Sequence, residues 1–400
     1  MLKSIFSALG TILLCAGAAV AQLSETPGEV PMSSTILAET GTQPSSDGRF
    51  WFRTDFLFGW MRGANLPPLV TTSPAGTARA DAGIVGVNGT ETLFGNSVNG
   101  DGRSGFRLGA AYWFNPEHSL GIEVGFLMME NRAALFSNAS TDGTILARPF
   151  FDANTALPQA VLVAFPGSSN GSIDIRAASG NFYSAHFDLT EKALDLGWFR
   201  LNSLLGYRFY RYDENLRIQQ TLTPTDPAFI PGTQVATNDN FGVRNQFHGL
   251  DLGFRSQFNW QNFSLEVLTK IAIGRLSRQV DIGGDQTITV PGTQPITQSG
   301  GVLAAATNSG TFHYSDWKTM PEAGITLHWQ VRSNVNIRAG YSFLFLDSIA
   351  RAADQIDVTV NPNLVPNGNA ALGGPIRPAF NATRSYQWLQ TLNLGVEFTY

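Results

Sequence analysis

The chain has 400 residues, of which 14% are charged, and a formal net charge of −5; soluble domains carry roughly 25% charged residues. So mild a negative balance excludes a nucleic-acid-binding protein, which needs a basic stripe. Abundant Gly (41) and Phe (28) argue against a helical protein, which draws on Ala, Glu, Lys and Leu.

Lys3, the apolar run from Ile5 to Ala16 and the small residues Ala19-Val20-Ala21 have the order of an export signal, predicting a signal peptide over 1–21. The run falls short of the ~20 residues of a spanning helix. Cys15 is the single cysteine and follows Leu14, not a small residue. A lipid-modified cysteine is therefore not expected, nor any disulfide in the mature chain. Residues 22–49 are rich in Ser, Thr, Pro and Gly without a period and read as a disordered periplasmic lead-in. The folded domain is expected over 50–400.

From Phe50 a period of two sets in, the mark of half-buried strands. The first strand, Phe50 to Met61, sets Phe52, Phe56, Phe58 and Trp60 against Arg53, Asp55 and Gly59. The second, Arg103 to Phe114, sets Phe106, Leu108 and Tyr112 against Arg107 and Gly109; the third follows with Leu120, Ile122, Val124 and Phe126 against Glu123. The fourth runs from Ile173 to Leu189, with Asp174, Arg176, His186 and Asp188 on its polar face. The fifth, Trp198 to Tyr212, sets Leu205, Tyr207 and Phe209 against Arg200 and Arg208. The sixth and seventh form a tight hairpin around Gln261-Asn262, which predicts pairing of Trp260 with Phe263 and a diagonal Arg255–Glu266 pair. Asp251 and Lys270 share their polar faces. The eighth ends at Trp329 with Glu322 and His328 on its polar face; the ninth, Val335 to Ile349, carries Arg338; the tenth, Tyr386 to Tyr400, carries Glu397.

The connections alternate. Those at 115–118, 190–197, 261–262 and 330–334 are short, whereas 63–102, 132–172, 213–244, 280–311 and 350–385 are long. Aromatic residues cluster at both strand ends. An all-β, closed antiparallel transmembrane β-barrel of about ten strands (twelve being the next even count) has this signature, with short periplasmic turns, long extracellular loops and two aromatic girdles. A soluble sandwich would have shorter strands of about 5–6 residues, with Lys and Glu on the wet face. The localisation expected is the outer membrane.

In such a barrel the polar faces line the lumen. Arg53, Asp55, Arg107, Glu123, Asp188, Arg200, Arg208, Asp251, Arg255, Glu266, Lys270, Glu322, Arg338 and Glu397 are the expected lumen-facing set, together with Asp174 and Arg176. Their signs balance, as they must when charges are buried together. Glu397 is expected between Arg53 and Arg338, locking the seam where the last strand meets the first. The charges either fill a narrow lumen or line a pore, and ten strands are little wider than the eight whose interior side chains can fill.

Catalytic and metal patterns are weak. The histidines are His118, His186, His248, His313 and His328, and the one cluster is His313-Tyr314-Ser315-Asp316. Neighbours on one strand point to opposite faces, so His313 and Asp316 do not form a ready acid–base pair. No histidines sit at i, i+2, no acidic calcium loop is present, and no cofactor is expected.

The end of the chain, Asn393-Leu394-Gly395-Val396-Glu397-Phe398-Thr399-Tyr400, resembles the terminal strand by which the barrel assembly machinery recognises its clients, through Asn393, Gly395, Phe398 and Tyr400. The stretch from Met320 onward, above all Asp354-Gln355-Ile356-Asp357 and Gly374-Pro375-Ile376-Arg377-Pro378-Ala379-Phe380, resembles the putative beta-barrel porin family, seventh group. Arg351-Ala352-Ala353 stands where that family tends to have Arg-Pro-Gly. The resemblance implies an outer-membrane barrel. Three readings follow: a small, weakly selective channel for ions or small polar solutes; a non-conducting barrel whose outer loops bind a partner or form a coat; and a rim hydrolase, the weakest. The partners expected are the lipid bilayer, lipopolysaccharide-type lipids and the assembly machinery, and no nucleic acid.

Overall fold

The computed structural model describes residues 48–141, 143–366, 368 and 370–400; the expected signal peptide and lead-in (apart from 48 and 49) lie outside them. Among these residues ten antiparallel strands form a ring: β1 (Phe50–Met61), β2 (Arg103–Trp113), β3 (Leu120–Met129), β4 (Ser169–Asp195), β5 (Phe199–Pro224), β6 (Gln234–Trp260), β7 (Phe263–Thr289), β8 (Gly310–Arg332), β9 (Val335–Ile349) and β10 (Ser385–Thr399). Each strand pairs with the next in sequence. β10 returns to pair with β1 from Trp51↔Thr399 to Met61↔Leu389, closing the ring. Closure satisfies the backbone of both edge strands, as hydrocarbon requires. The β6–β7 turn puts Gln261 at φ 49°, pairing Trp260 with Phe263 and Gln257 with Glu266.

The outward face carries an apolar belt. Phe56, Phe106, Val124, Phe187, Leu205, Phe254, Ile273, Ile325, Tyr341 and Leu392 are all exposed. In β7 the belt runs from Phe263 to Ile273; ten steps of about 3.4 Å tilted by about 40° rise about 26 Å, the height of an outer-membrane hydrocarbon layer. Phe114, Trp198, Trp260, Trp329 and Tyr400 are exposed at its short-turn end.

The strands do not stop at the far side of the belt. β4 to β8 have 23 to 27 residues each, so much of the chain expected as loops at 213–244 and 280–311 is strand. The sequence hid this because the polarity inverts while the period continues. In β7 the outward Ile271 and Ile273 give way to Arg275, Ser277, Gln279 and Asp281. On the inward face Glu266 and Lys270 give way to Ala272, Leu276, Val280 and Ile282. β5 does the same, with Arg208 inside beside the belt and Leu216 and Ile218 inside beyond it. The pattern is that of a membrane protein below and a soluble protein above.

The long strands thus build a wall outside the membrane, extended by Arg132–Ser140 pairing with the upper part of β4. A second sheet, made of Ala64–Thr72, Glu91–Val98, Leu146–Asp152, Leu157–Ala164 and Thr359–Val360, packs against its inner face. Leu69, Val70, Leu146 and Val163 meet Ile175, Leu216, Phe241 and Val280 in one buried core. Each such side chain contributes about 1.5–3 kcal/mol of burial, which gives the head a core of its own. Arg148 and Asp239, both buried, pair at 2.6 Å within it, and Asp239 also accepts the backbone N–H groups of Leu303 and Ala304.

One lumen expectation is overturned. The β4–β5 register shifts between Tyr212 and Glu214, opposite Ser179 to Phe182. This bulge changes which residues of β4 face inward. Below it Phe182, Ser184 and Asp188 are buried; above it Ile173, Ile175 and Ala177 are. Asp174 and Arg176 therefore point outward from the head, not into the lumen.

Because the β5–β6 ladder continues outside the membrane, Gln219 and Asn238 are cross-strand partners. Cysteines at 219 and 238 will form a disulfide on mild oxidation of intact cells, since directly opposed residues fall within disulfide reach. A loop at 213–244 would give no such bond.

Candidate functional site

The chemistry of the molecule is concentrated inside the ring, beside the apolar belt. Glu123 on β3 accepts from Arg53 on β1 at 3.0 Å and contacts Arg255 on β6 at 2.6 Å. β3 and β6 are not neighbours, so this contact crosses the lumen. From Arg255 the chain of contacts continues to Glu266 at 3.4 Å, to the His328 ring at 3.8 Å and to Glu397 at 4.0 Å. Arg338 lies 4.0 Å from Glu397 and 3.3 Å from Asp55. A second branch starts at His186, between Glu123 at 3.9 Å and Asp188 at 3.8 Å. Lys270 joins Asp188 (2.5 Å) to Asp251 (2.7 Å), and Arg208 joins Asp251 (2.9 Å) to Glu322.

The strands position these groups by parity alone, every second residue pointing inward. Glycine makes the room. A Cβ on Gly125 would lie 2.2 Å from the His186 ring, and one on Gly395 would lie 2.1 Å from an Asp55 oxygen. The groups are closely packed, with Asp188 and Asp251 fully buried and Arg53, Glu123, Lys270 and Arg338 at most 5% exposed, and each stands within ion-pair distance of an opposite partner. Removing one whose partner has no other ion pair, as Glu123 is for Arg53, leaves that partner uncompensated.

Of the lumen set named above, Arg53, Asp55, Glu123, Asp188, Arg208, Asp251, Arg255, Glu266, Lys270, Glu322, Arg338 and Glu397 are in this network. Arg107 is half-buried and donates to the Ser342 hydroxyl at 2.9 Å. Arg200 lies at the short-turn end and pairs with Asp195 at 3.2 Å. The seam keeps its Arg338–Glu397 contact at 4.0 Å but not the one expected from Arg53. Arg53 and Glu397 are cross-strand partners, but Arg53 turns to Glu123, and Glu397 instead accepts from Asn336 at 3.1 Å. His186 and His328, on the polar faces of their strands but outside the charged set named above, share the parity of Asp188 and Glu322 and join the network. On β10, Asn393 is buried and accepts from Thr391, whereas the Tyr400 ring is exposed 6.3 Å from Phe50. Phe398 pairs with Phe52 and Val335.

Directly outward of the network the lumen is filled by apolar side chains. Leu57, Met61, Met129, Phe182, Phe247, Leu276, Met320, Leu346 and Leu389 form one cluster, each at most 2% exposed. Above it the segment after β9 enters the head. Arg351 is bound by Glu214 at 2.6 Å and donates to the carbonyls of Arg62 and Gly63. Glu214 raises the Arg351 pKa, holding it charged. Asn245 accepts from the Ala350 N–H at 2.8 Å and donates to the Ala350 carbonyl at 2.9 Å. The family-like stretches meet here too: Asp357 takes Arg377 and the Ala379 N–H, both at 2.8 Å, and Phe380 stacks on Phe312 at 3.8 Å. On the inner side of the network a cavity of about 200 Å³ opens at the short-turn end, lined by Trp51, Trp113, His118, Gln257 and His328 among others.

The candidate rim pair is not assembled. His313 is exposed, while Asp316 is engaged by Arg278 at 2.7 Å, Arg384 at 3.1 Å and Lys318 at 3.4 Å. Among the described residues no group of His, Cys, Asp and Glu is placed to hold a metal ion.

A closed ring of antiparallel strands with an outward apolar belt, aromatic ends and a charged interior defines an outer-membrane β-barrel. Residues 51–400 match the family described as Putative beta barrel porin-7 (BBP7), and the chain belongs to that family. No curated protein matches it. Among solved structures it is similar to the outer membrane protease OmpT of Escherichia coli (8% identity, 90% of this chain and 99% of that one, TM-score 0.43). It is also similar to a FadL homologue of Pseudomonas aeruginosa (7%, 89% and 92%, TM-score 0.27). A third is the translocator domain of the autotransporter NalP of Neisseria meningitidis (10%, 100% and 97%, TM-score 0.20). At these TM-scores none carries an activity across.

Glu123 is the hub of the network, so Glu123→Ala will destabilise the barrel by about 3–5 kcal/mol, leaving the buried Arg53 without a carboxylate and Arg255 with Glu266 alone. The heat-unfolding temperature on gels will fall accordingly. Glu397→Gln will lower it by much less, because Glu397 is partly exposed and its ion-pair partners stand at 4.0 Å. Equal shifts for the two variants would contradict the hub.

Proposed function

We propose that this protein is an outer-membrane barrel that stays closed and displays a folded head on the cell surface, not a standing pore. The observation that carries this is the double filling of the lumen, by a crossing ion-pair network and then by a buried apolar layer. An ion would have to break charge pairs and then enter an apolar layer. A small, weakly selective channel for ions or small polar solutes is the second reading. It is favoured by the family's porin description and by the cavity at the short-turn end. Catalysis at the rim has little support, since Asp316 is committed to three cations and not to His313. The bilayer, lipopolysaccharide-type lipids and the assembly machinery are the natural partners, and an export signal over 1–21 supplies the route.

Purified full-length protein inserted in planar bilayers will show no stepwise conductance across repeated preparations. Regular steps from the unaltered protein would reject the closed reading and establish the channel. Separately, deletion of Tyr400 combined with Phe398→Ser will abolish insertion into the outer membrane in cells if the terminal strand is the assembly signal. Normal insertion would remove that role.

A further inference from the structure

Several outward-facing arginines of the head have partners. Arg211 is held by Asp213 at 2.7 Å, Arg275 by Ser315 at 2.8 Å and Arg132 by Glu130 at 3.5 Å. Arg176 on β4 and Arg217 on β5 are direct cross-strand partners on the outer face of the head. Both are exposed, and neither makes an ion pair or side-chain hydrogen bond with any described residue. Like charges directly opposed in a sheet are unfavourable. They sit together because the β4 bulge turns Arg176 outward. The two line a groove of about 530 Å³, along with Leu135, Ser137, Asp174 and Gln219. Asp174 is the one carboxylate in the groove and lies beyond 4.0 Å of both guanidiniums, so the groove is left with net positive charge.

We propose that this groove binds an acidic oligosaccharide, a uronate-bearing stretch of a surface polymer. Two adjacent guanidiniums offer paired N–H donors that fit one carboxylate. Ser137 and Gln219 supply hydroxyl and amide groups beside it for sugar hydroxyls. Leu135, 69% exposed and the cross-strand partner of Arg176, offers an apolar surface for the C–H face of a pyranose ring. A free inorganic anion would use the arginines and leave most of the groove empty. The proposal deepens the reading of the head as a surface-displayed body. A conducting barrel would carry the same groove, so the two readings fail separately.

The test is calorimetric titration of the purified full chain in neutral detergent with trigalacturonate, with a neutral galactose trisaccharide and with inorganic phosphate. Trigalacturonate will bind, more weakly as salt rises, and the neutral trisaccharide will bind at least tenfold more weakly. R176Q/R217Q will lower trigalacturonate affinity at least tenfold while R275Q, outside the groove, leaves it unchanged. L135D, which leaves both arginines in place, will also weaken it. Unchanged heat-unfolding on gels will show that each variant is folded; should R176Q/R217Q fail that check, L135D decides alone. Absence of binding by the unaltered protein, or undiminished binding by the folded variants, overturns the site. Phosphate binding as tightly as trigalacturonate overturns the sugar assignment and reduces the groove to a simple oxyanion site.

Discussion

The constraint on which everything else depends is that a strand has one period and this one meets two solvents. Side chains alternate faces whether the surroundings are hydrocarbon or water. Inside the bilayer the outward face must be apolar and the inward face may hold charge; outside, the requirement reverses. β5, β6 and β7 meet both demands without a break in the ladder, exchanging the polarity of the two faces within a few residues of Phe209, His248 and Ile273.

From that exchange follows the way the interior is filled. The charged layer cannot extend upward, because the inward face above it is apolar and needs a core to cover it. The loops between strands supply that core as a second sheet, and the segment after β9 is tied down by Glu214 and Asn245. Replacing buried ion pairs by hydrophobic residues is often neutral or stabilising. The network is therefore best understood as a device of arrangement. Glu123 and Asp251 each meet cations from two other strands, which fixes those strands' relative depth around the ring.

Much of this was legible from the amino-acid order. The ten membrane strands, their pairing order and the identity of most charged residues inside the lumen follow from period and parity. The head was not legible, for a physical reason. Leu216 and Ile218 fall on the parity that Arg208 occupies lower in β5, so the change of polarity imitates the end of a strand. The bulge in β4 was equally hidden, and with it the outward turn of Asp174 and Arg176. The seam was half legible: Glu397 has Arg338 at 4.0 Å, and register places Arg53 opposite it, but a long guanidinium can choose among neighbours, and Glu123 offered a contact also shared with Arg255.

The bulge also decides where the chain can gain or lose a residue over evolutionary time. In β7 a single inserted or deleted residue would carry every position beyond it to the wrong face, placing Val280 and Ile282 in water and Arg275 in the core. Drift in length is barred there. At Gly180-Asn181 the ladder already contains such a shift, absorbed where β4 leaves the bilayer. Related chains that differ by one residue within a barrel strand should therefore differ at this point, and the basic pair above it would appear or vanish with the change.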